Sequence, residues 1–359
     1  MGSLRTATLI SAIALIFAAG HAAAFDLDQV MRDTADRFVR PAYSGFADKS
    51  KQLLSAQKQL CALPSSVNAD AAKTAFAGAA LSWANAEVFR AGPVVEDNRL
   101  ERVLFYPDRK GTGLKQVQAA LAASDETVTD ATELAGKSVA MQGLGTLEFV
   151  LFGTGSEALE TTDGNYRCRY GAAIAGNLST IAETLTQAWA PGGQVDLDWN
   201  SHNETNPFAR NDREALNLVL GTIIHGLEQL QDIRIGAFLD MKENKDKPKS
   251  ALYWRSGLTV RSIAQNLEAI KALFDLSGLD GALPEDQKHV AESIRFDFNA
   301  ALDALQTLDK PVEAILANQK DREKLVFARN TIADLIHRFD QQFAVASGLA
   351  AGFSFSDGD

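Results

Sequence analysis

The chain has 359 residues, a formal charge of −11 and 46% apolar residues. That length is too great for one small core and suits two domains of ordinary size. The acidity excludes nucleic acid and anionic lipid as preferred partners, since both repel a negative surface.

Residues 1–24 read as a secretory signal. Arg5 supplies the positive start, Thr8 to Ala19 an apolar stretch, and Ala22-Ala23-Ala24 a small-residue cleavage site before Phe25. The apolar stretch is short of the roughly 20 residues that a spanning helix needs. No cysteine follows it closely, so a periplasmic protein is expected rather than a lipoprotein, with no integral membrane segment after cleavage. From residue 27 onward, apolar residues recur every three or four positions among Ala, Leu, Glu, Lys and Gln, which predicts an all-α protein. Helices are expected over 27–60, kinked or broken at Pro41, and over 68–91, with Phe76, Ala80 and Trp83 on one stripe. Ala91-Gly92-Pro93 stops the second helix, and residues 93–113 lack periodicity. Helices resume near 113–122, 126–141, 143–152 and 164–188.

Pro191-Gly192-Gly193 and the polar run to Pro207 suggest a linker over 191–210. Asn211, with Glu214 three residues on, predicts a capped helix running to about 242. A charged loop over 242–249 follows, then helices near 255–276, 284–307, 309–317 and 319–346. The economical architecture is two related helical bundles side by side, residues 25–190 and 211–347, with a tail over 348–359. A faint echo between Leu147-Glu148 and Leu227-Glu228 suits duplication.

The two cysteines, Cys61 and Cys168, are either one disulfide or two thiols; export favours the disulfide. The most informative segment is Gly143-Leu144-Gly145-Thr146-Leu147-Glu148-Phe149-Val150-Leu151-Phe152-Gly153. Glu148 is a lone carboxylate among apolar and glycine neighbours, a costly placement unless it is paired, neutralised or bound to a cation. One reading pairs it with Arg90, Arg99, Arg102, Arg109 or Arg167. The other makes it a desolvated carboxylate at a cleft, with Gly143 and Gly145 admitting a ligand or another backbone, and Trp83 and Glu87 lining the same cleft. On the long helix, Leu216, Leu220, Ile223, Leu227 and Leu230 form the core stripe; His225, Glu228 and Asp232 cluster opposite. Those three side chains are either a solvated face with an ion pair or metal ligands alongside Glu148. No nucleophile elbow, zinc-protease helix motif or phosphate-binding glycine loop is present.

GLGTLEFVLFG resembles the signature of the imelysin family, in which glycine, histidine and glutamate precede an aromatic, aliphatic residues and glycine. Leu104 to Gly111, with Asp108 in its aromatic-Pro-Asp stretch, Arg167-Cys168-Arg169-Tyr170, Arg255 to Thr259, and Phe355 to Asp359 are similar to other stretches of that family. The chain looks closest to the branch related to iron-regulated protein A. The resemblance implies two helical bundles with the signature near their interface, paired cysteines, export and a link to iron supply. The candidate ligand-binding residues are Glu148, Gly143, Gly145, Trp83, Glu87, Arg90, Asp108 and Arg167, with iron or zinc as the candidate metal; of these, Gly143 and Glu148 hold the signature's glycine and glutamate places. The family is named as metallopeptidases, but Gly145 stands here where the signature has histidine, and glycine cannot ligate a metal. The expected function is therefore a binding or uptake-accessory protein for a metal or small molecule. The alternatives are a metallopeptidase and an envelope scaffold that contacts other proteins.

Overall fold

The computed structural model describes residues 25–243 and 245–349; the expected signal and most of the tail lie outside the described residues. Among the described residues every regular element is helical. Side-chain caps mark some of the helix starts: Ser65 accepts from the Asn68 N–H, Asn211 from Glu214 and Asn318 from Asp321.

Around the first half of the chain, Arg40–Ala62, Ser66–Ala86 and Asn165–Ala188 pack together, and Gly143–Phe152 lies against the last two. In the second half, Asp212–Glu228, Thr259–Ser277, His289–Gln306 and Gln319–His337 form the other group. The two groups meet where Ser66–Ala86 packs on Thr259–Ser277. Leu27–Asp33 also crosses onto Thr259–Ser277 and Asp212–Glu228. Phe76, Ala80 and Trp83 are buried, as are the five leucine and isoleucine positions of the long helix.

Several helix boundaries differ from the periodicity; Ser66–Ala86 stops five residues before 91, and His289–Gln306 starts five after 284. Pro41 does not break the first helix. It sits in the first turn of Arg40–Ala62, directly after the π-helical turn Thr34–Val39, and the wider turn relieves the clash of a proline ring with the preceding carbonyl. The stretch 126–141 is not one helix, because Asp130 and Ser138 each restart the chain with a cap. The helix from Asp212 ends in a π-helical turn, Gln229–Ile235, several residues short of 242. The next long helix starts at Thr259 rather than 255, after Gly257 at a φ of +72°.

Within 191–210 the chain forms a short helix, Gln194–Trp199. Trp199 is fully buried against Phe89, Trp189 and Phe208, and its indole donates to the Met31 carbonyl at 2.7 Å. Cys61 and Cys168 form a disulfide with a Cα–Cα distance of 5.4 Å, tying the end of Arg40–Ala62 to the start of Asn165–Ala188.

Candidate ligand cleft

Glu148 lies in the helix Gly143–Phe152, whose apolar residues bury it from both sides and leave it 4% exposed. Its partner is none of the five expected arginines. Oε1 accepts the Ser256 backbone N–H at 2.9 Å and the Ser256 hydroxyl at 2.8 Å. Burial pushes the Glu148 carboxyl above the usual glutamate range, against the Ser256 hydrogen bonds and the nearby Arg255 charge. Ser256 is brought there by the turn that ends at Gly257, a segment whose motif was visible but whose role was not.

Four of the five expected arginines are engaged elsewhere. Arg90 donates to the Glu87 carbonyl at 3.0 Å, Arg99 to the Pro93 carbonyl at 2.5 Å, and Arg102 to Asn177 at 2.8 Å. Arg109 is exposed at the cleft rim. Arg167 caps the far end of the Glu148 helix, donating to the carbonyls of Phe149 and Val150 at 2.7 Å and of Thr154 at 2.9 Å. The Val150 carbonyl is one of the last of the helix, which lack a helical N–H to accept, and a cation is the group that suits that end.

The two glycines divide the work. Gly143, at a φ of +80°, presses on the chain at Arg102 and Val103; a Cβ there would lie 2.5 Å from the Val103 carbonyl oxygen. It does not line the cleft. Gly145 does, and a Cβ there would meet nothing within 4 Å. The space that the signature histidine would enter is open.

The cleft has a volume of about 570 Å³. Its walls come from four stretches, between Phe105 and Val117, Ala140 and Phe149, Asp232 and Ala237, and Lys247 and Arg255. Glu148 of the first half thus shares a cavity with residues of the second. Asp108 lines it too, but its carboxylate accepts the N–H groups of Thr112 at 2.8 Å and Leu114 at 3.2 Å, capping Thr112–Ala123. Tyr106, joined to Pro107 by a cis peptide, donates its hydroxyl to the Ser250 carbonyl at 3.0 Å across the cleft.

Trp83 and Glu87 do not line the cleft. Trp83 packs on Phe46 with ring centroids 4.9 Å apart. Glu87 is 4% exposed and meets Arg234, itself 3% exposed, through both carboxylate oxygens at 2.6 Å; Asn266 donates to it at 3.0 Å. This pair welds the two halves of the chain beneath the cleft. Sequence reasoning missed Arg234, although it extends the buried leucine stripe by four residues from Leu230.

The expected metal set is not assembled. His225 Nδ1 lies 3.0 Å from Glu228 Oε2, and neither lines the cleft. Asp232 lines it and faces Arg329 at 3.7 Å. Among the described residues no group of three or more His, Cys, Asp and Glu is placed to hold a metal ion. No histidine or cysteine lines the cleft, and the Asp108 carboxylate is spent on a helix cap, so the residues present do not fit the metal that the family name implies. The hydroxyl that donates to the lining Glu148 belongs to Ser256, which does not itself line the cleft.

Replacing Glu148 with Gln tests the desolvated carboxylate. A carboxyl raised above its unfolded value contributes most at low pH and loses stability as pH rises through the folded value. The Glu148→Gln variant, which keeps an acceptor for Ser256, should therefore melt above wild type at pH 7 and converge on it near pH 4. Melting curves across that range check the sign.

No curated protein matches the chain. The solved structures that share its fold include the following two. An imelysin-like protein from Psychrobacter arcticum 273-4 is 19% identical with a TM-score of 0.74, covering 92% of this chain and 98% of that one. A protein described as an iron-regulated protein A precursor, from Parabacteroides distasonis ATCC 8503, is 15% identical with a TM-score of 0.71, covering 90% of this chain and 94% of that one. The family model for Imelysin (Peptidase_M75) matches residues 39–339, and the chain accordingly belongs to the imelysin family.

Proposed function

We propose that this imelysin-family chain is an exported, periplasmic binding or uptake-accessory protein that holds a small ligand in the cleft beside Glu148. The observation that carries the reading is the open space at Gly145, next to a buried carboxylate and inside a cavity with walls from both halves. Concave sites with few convergent polar groups are where small ligands bind. Likeness to an iron-regulated protein A precursor supports a link to iron supply. The signal-like residues 1–24 and the disulfide support export. A peptidase is disfavoured by the missing metal donors, and a pure scaffold by the cavity itself.

The test fills the cleft without disturbing the fold. Gly145→Leu adds a side chain where nothing stands within 4 Å, in a helix that leucine favours over glycine by about 0.8 kcal/mol. Chelator-treated protein is titrated calorimetrically with iron, zinc and a panel of small organic ligands. A ligand that binds wild type and loses at least tenfold in affinity for Gly145→Leu supports the reading. Ligands that bind both proteins equally sink it, as does zinc-dependent cleavage of unfolded casein.

A further inference from the structure

The cleft carries charge of the opposite sign to the protein around it. The chain as a whole stands at −11, yet Arg109, Lys247, Lys249 and Arg255 all line this one cavity. Three acids line it too, and each is already engaged: Asp108 with two backbone N–H groups, Glu148 with Ser256, and Asp232 with Arg329. Among the described residues none of the four cations lies within 4.0 Å of a carboxylate.

Arg255 is the best placed of them. Its guanidinium stands 4.4 Å from the centroid of the Trp254 ring and 5.3 Å from that of Phe149, and Lys249 Nζ is 5.5 Å from the same Trp254 ring. Stacking orients the guanidinium, whose edge N–H groups donate to no acceptor among the described residues. Burial lowers its pKa, with the Glu148 charge opposing that shift. The neighbourhood also holds donors without acceptors. Tyr253 lines the cleft, is 1% exposed, and its hydroxyl has no partner among the described residues; the same is true of Nε and Nη1 of Arg234, over the Tyr106 ring. Flat apolar surface completes the walls, from Phe105, Tyr106, Phe149 and Trp254.

We infer that the cleft takes a flat organic anion, an aromatic or conjugated carboxylate, whose charged end meets Arg255 and Lys249 while its ring lies on the aromatic wall. A carboxylate matches a guanidinium edge with two parallel hydrogen bonds, and a ring offers the apolar walls something to cover. This rests on the cleft being the ligand site, and names the chemistry of what it holds.

The test uses three probes of one shape and different charge: 2-naphthoate, 2-naphthol and 2-naphthylmethylammonium, each titrated calorimetrically into the full folded chain. The carboxylate should bind at least tenfold tighter than the alcohol, and the ammonium no tighter than the alcohol. Raising salt from 50 to 500 mM should weaken the carboxylate alone. Arg255→Gln should cost naphthoate about tenfold and leave naphthol within twofold, with an unchanged thermal midpoint reporting an intact fold. Gly145→Leu should abolish both. Equal or tighter binding of the ammonium, or naphthoate binding indifferent to Arg255→Gln, overturns the anion inference while the cleft reading stands. Silence from all three probes also overturns it, and the cleft is then judged by its own ligand panel.

Discussion

Truncating Glu87 to alanine should destabilise the chain by about 3–5 kcal/mol, the largest effect of any single side chain considered above. Both partners of the Glu87–Arg234 pair are almost wholly buried, and they are 147 residues apart in sequence. Removing one leaves the other as an uncompensated charge with nowhere to reach water. Arg90 cannot take over from Glu87, because it is itself a cation, 3.9 Å from the same carboxylate. Nε and Nη1 of Arg234 already lack acceptors among the described residues, so the loss falls on a group with no reserve. Desolvation makes the intact pair a poor source of net stability, and the double change Glu87→Gln with Arg234→Met should recover at least half of the loss. The glutamine keeps an acceptor for Asn266 and the methionine fills the arginine's volume. Urea denaturation of wild type, single and double variants reads all three values. A cost below 1 kcal/mol for Glu87→Ala would falsify the weld between the halves.

The second large effect is at Cys61–Cys168. The bridge closes a sequence separation of 107 residues, for which loop entropy in the unfolded chain gives about 4–5 kcal/mol. The paired substitution of both cysteines by alanine should lower the denaturation midpoint accordingly. Cys168 is 3% exposed, so mild reductant should act mainly through the unfolded state, and the wild-type midpoint should drop towards that of the alanine pair only in strong reductant. There is a local consequence as well. Arg167, next to Cys168, holds the last carbonyls of the Glu148 helix. Loosening the bridge should raise amide exchange at the end of that helix before it does so in Thr259–Ser277, measured by hydrogen exchange with mass spectrometry. Equal midpoints with and without the bridge would contradict this account.

The all-helical architecture was legible because a period near 3.6 survives in every long segment. Helix ends were less legible: Asp130 and Ser138 break a stretch that composition alone reads as continuous, and a π-helical turn has no reliable pattern in composition. Glu148 was correctly marked as unusual by its neighbours, yet its partner was sought among arginines when the donor is a serine 108 residues away. Long-range pairing of that kind leaves no local trace. The buried ion pair did leave one. Glu87 continues the stripe of Phe76, Ala80 and Trp83, and Arg234 continues that of Leu227 and Leu230. Two apolar stripes that end in opposite charges can be read as partners, since neither charge could be tolerated alone. Periodicity was less informative about Trp83, where an aromatic on a core stripe is a core residue, and about His225, Glu228 and Asp232, where His225 meets Glu228 on the same helix and Asp232 faces the distant Arg329.

Four separate lengths of chain wall the cavity beside Gly145. Whatever occupies it acts as a clamp across segments more than a hundred positions apart, and heating must evict the occupant before those segments part. Occupancy at a hundred times the dissociation constant would add about 2.7 kcal/mol to the folded state. The natural ligand can therefore be sought without an activity assay, by fractionating extracts of the producing cell and asking which fraction makes the wild-type chain, but not its Gly145→Leu counterpart, melt later.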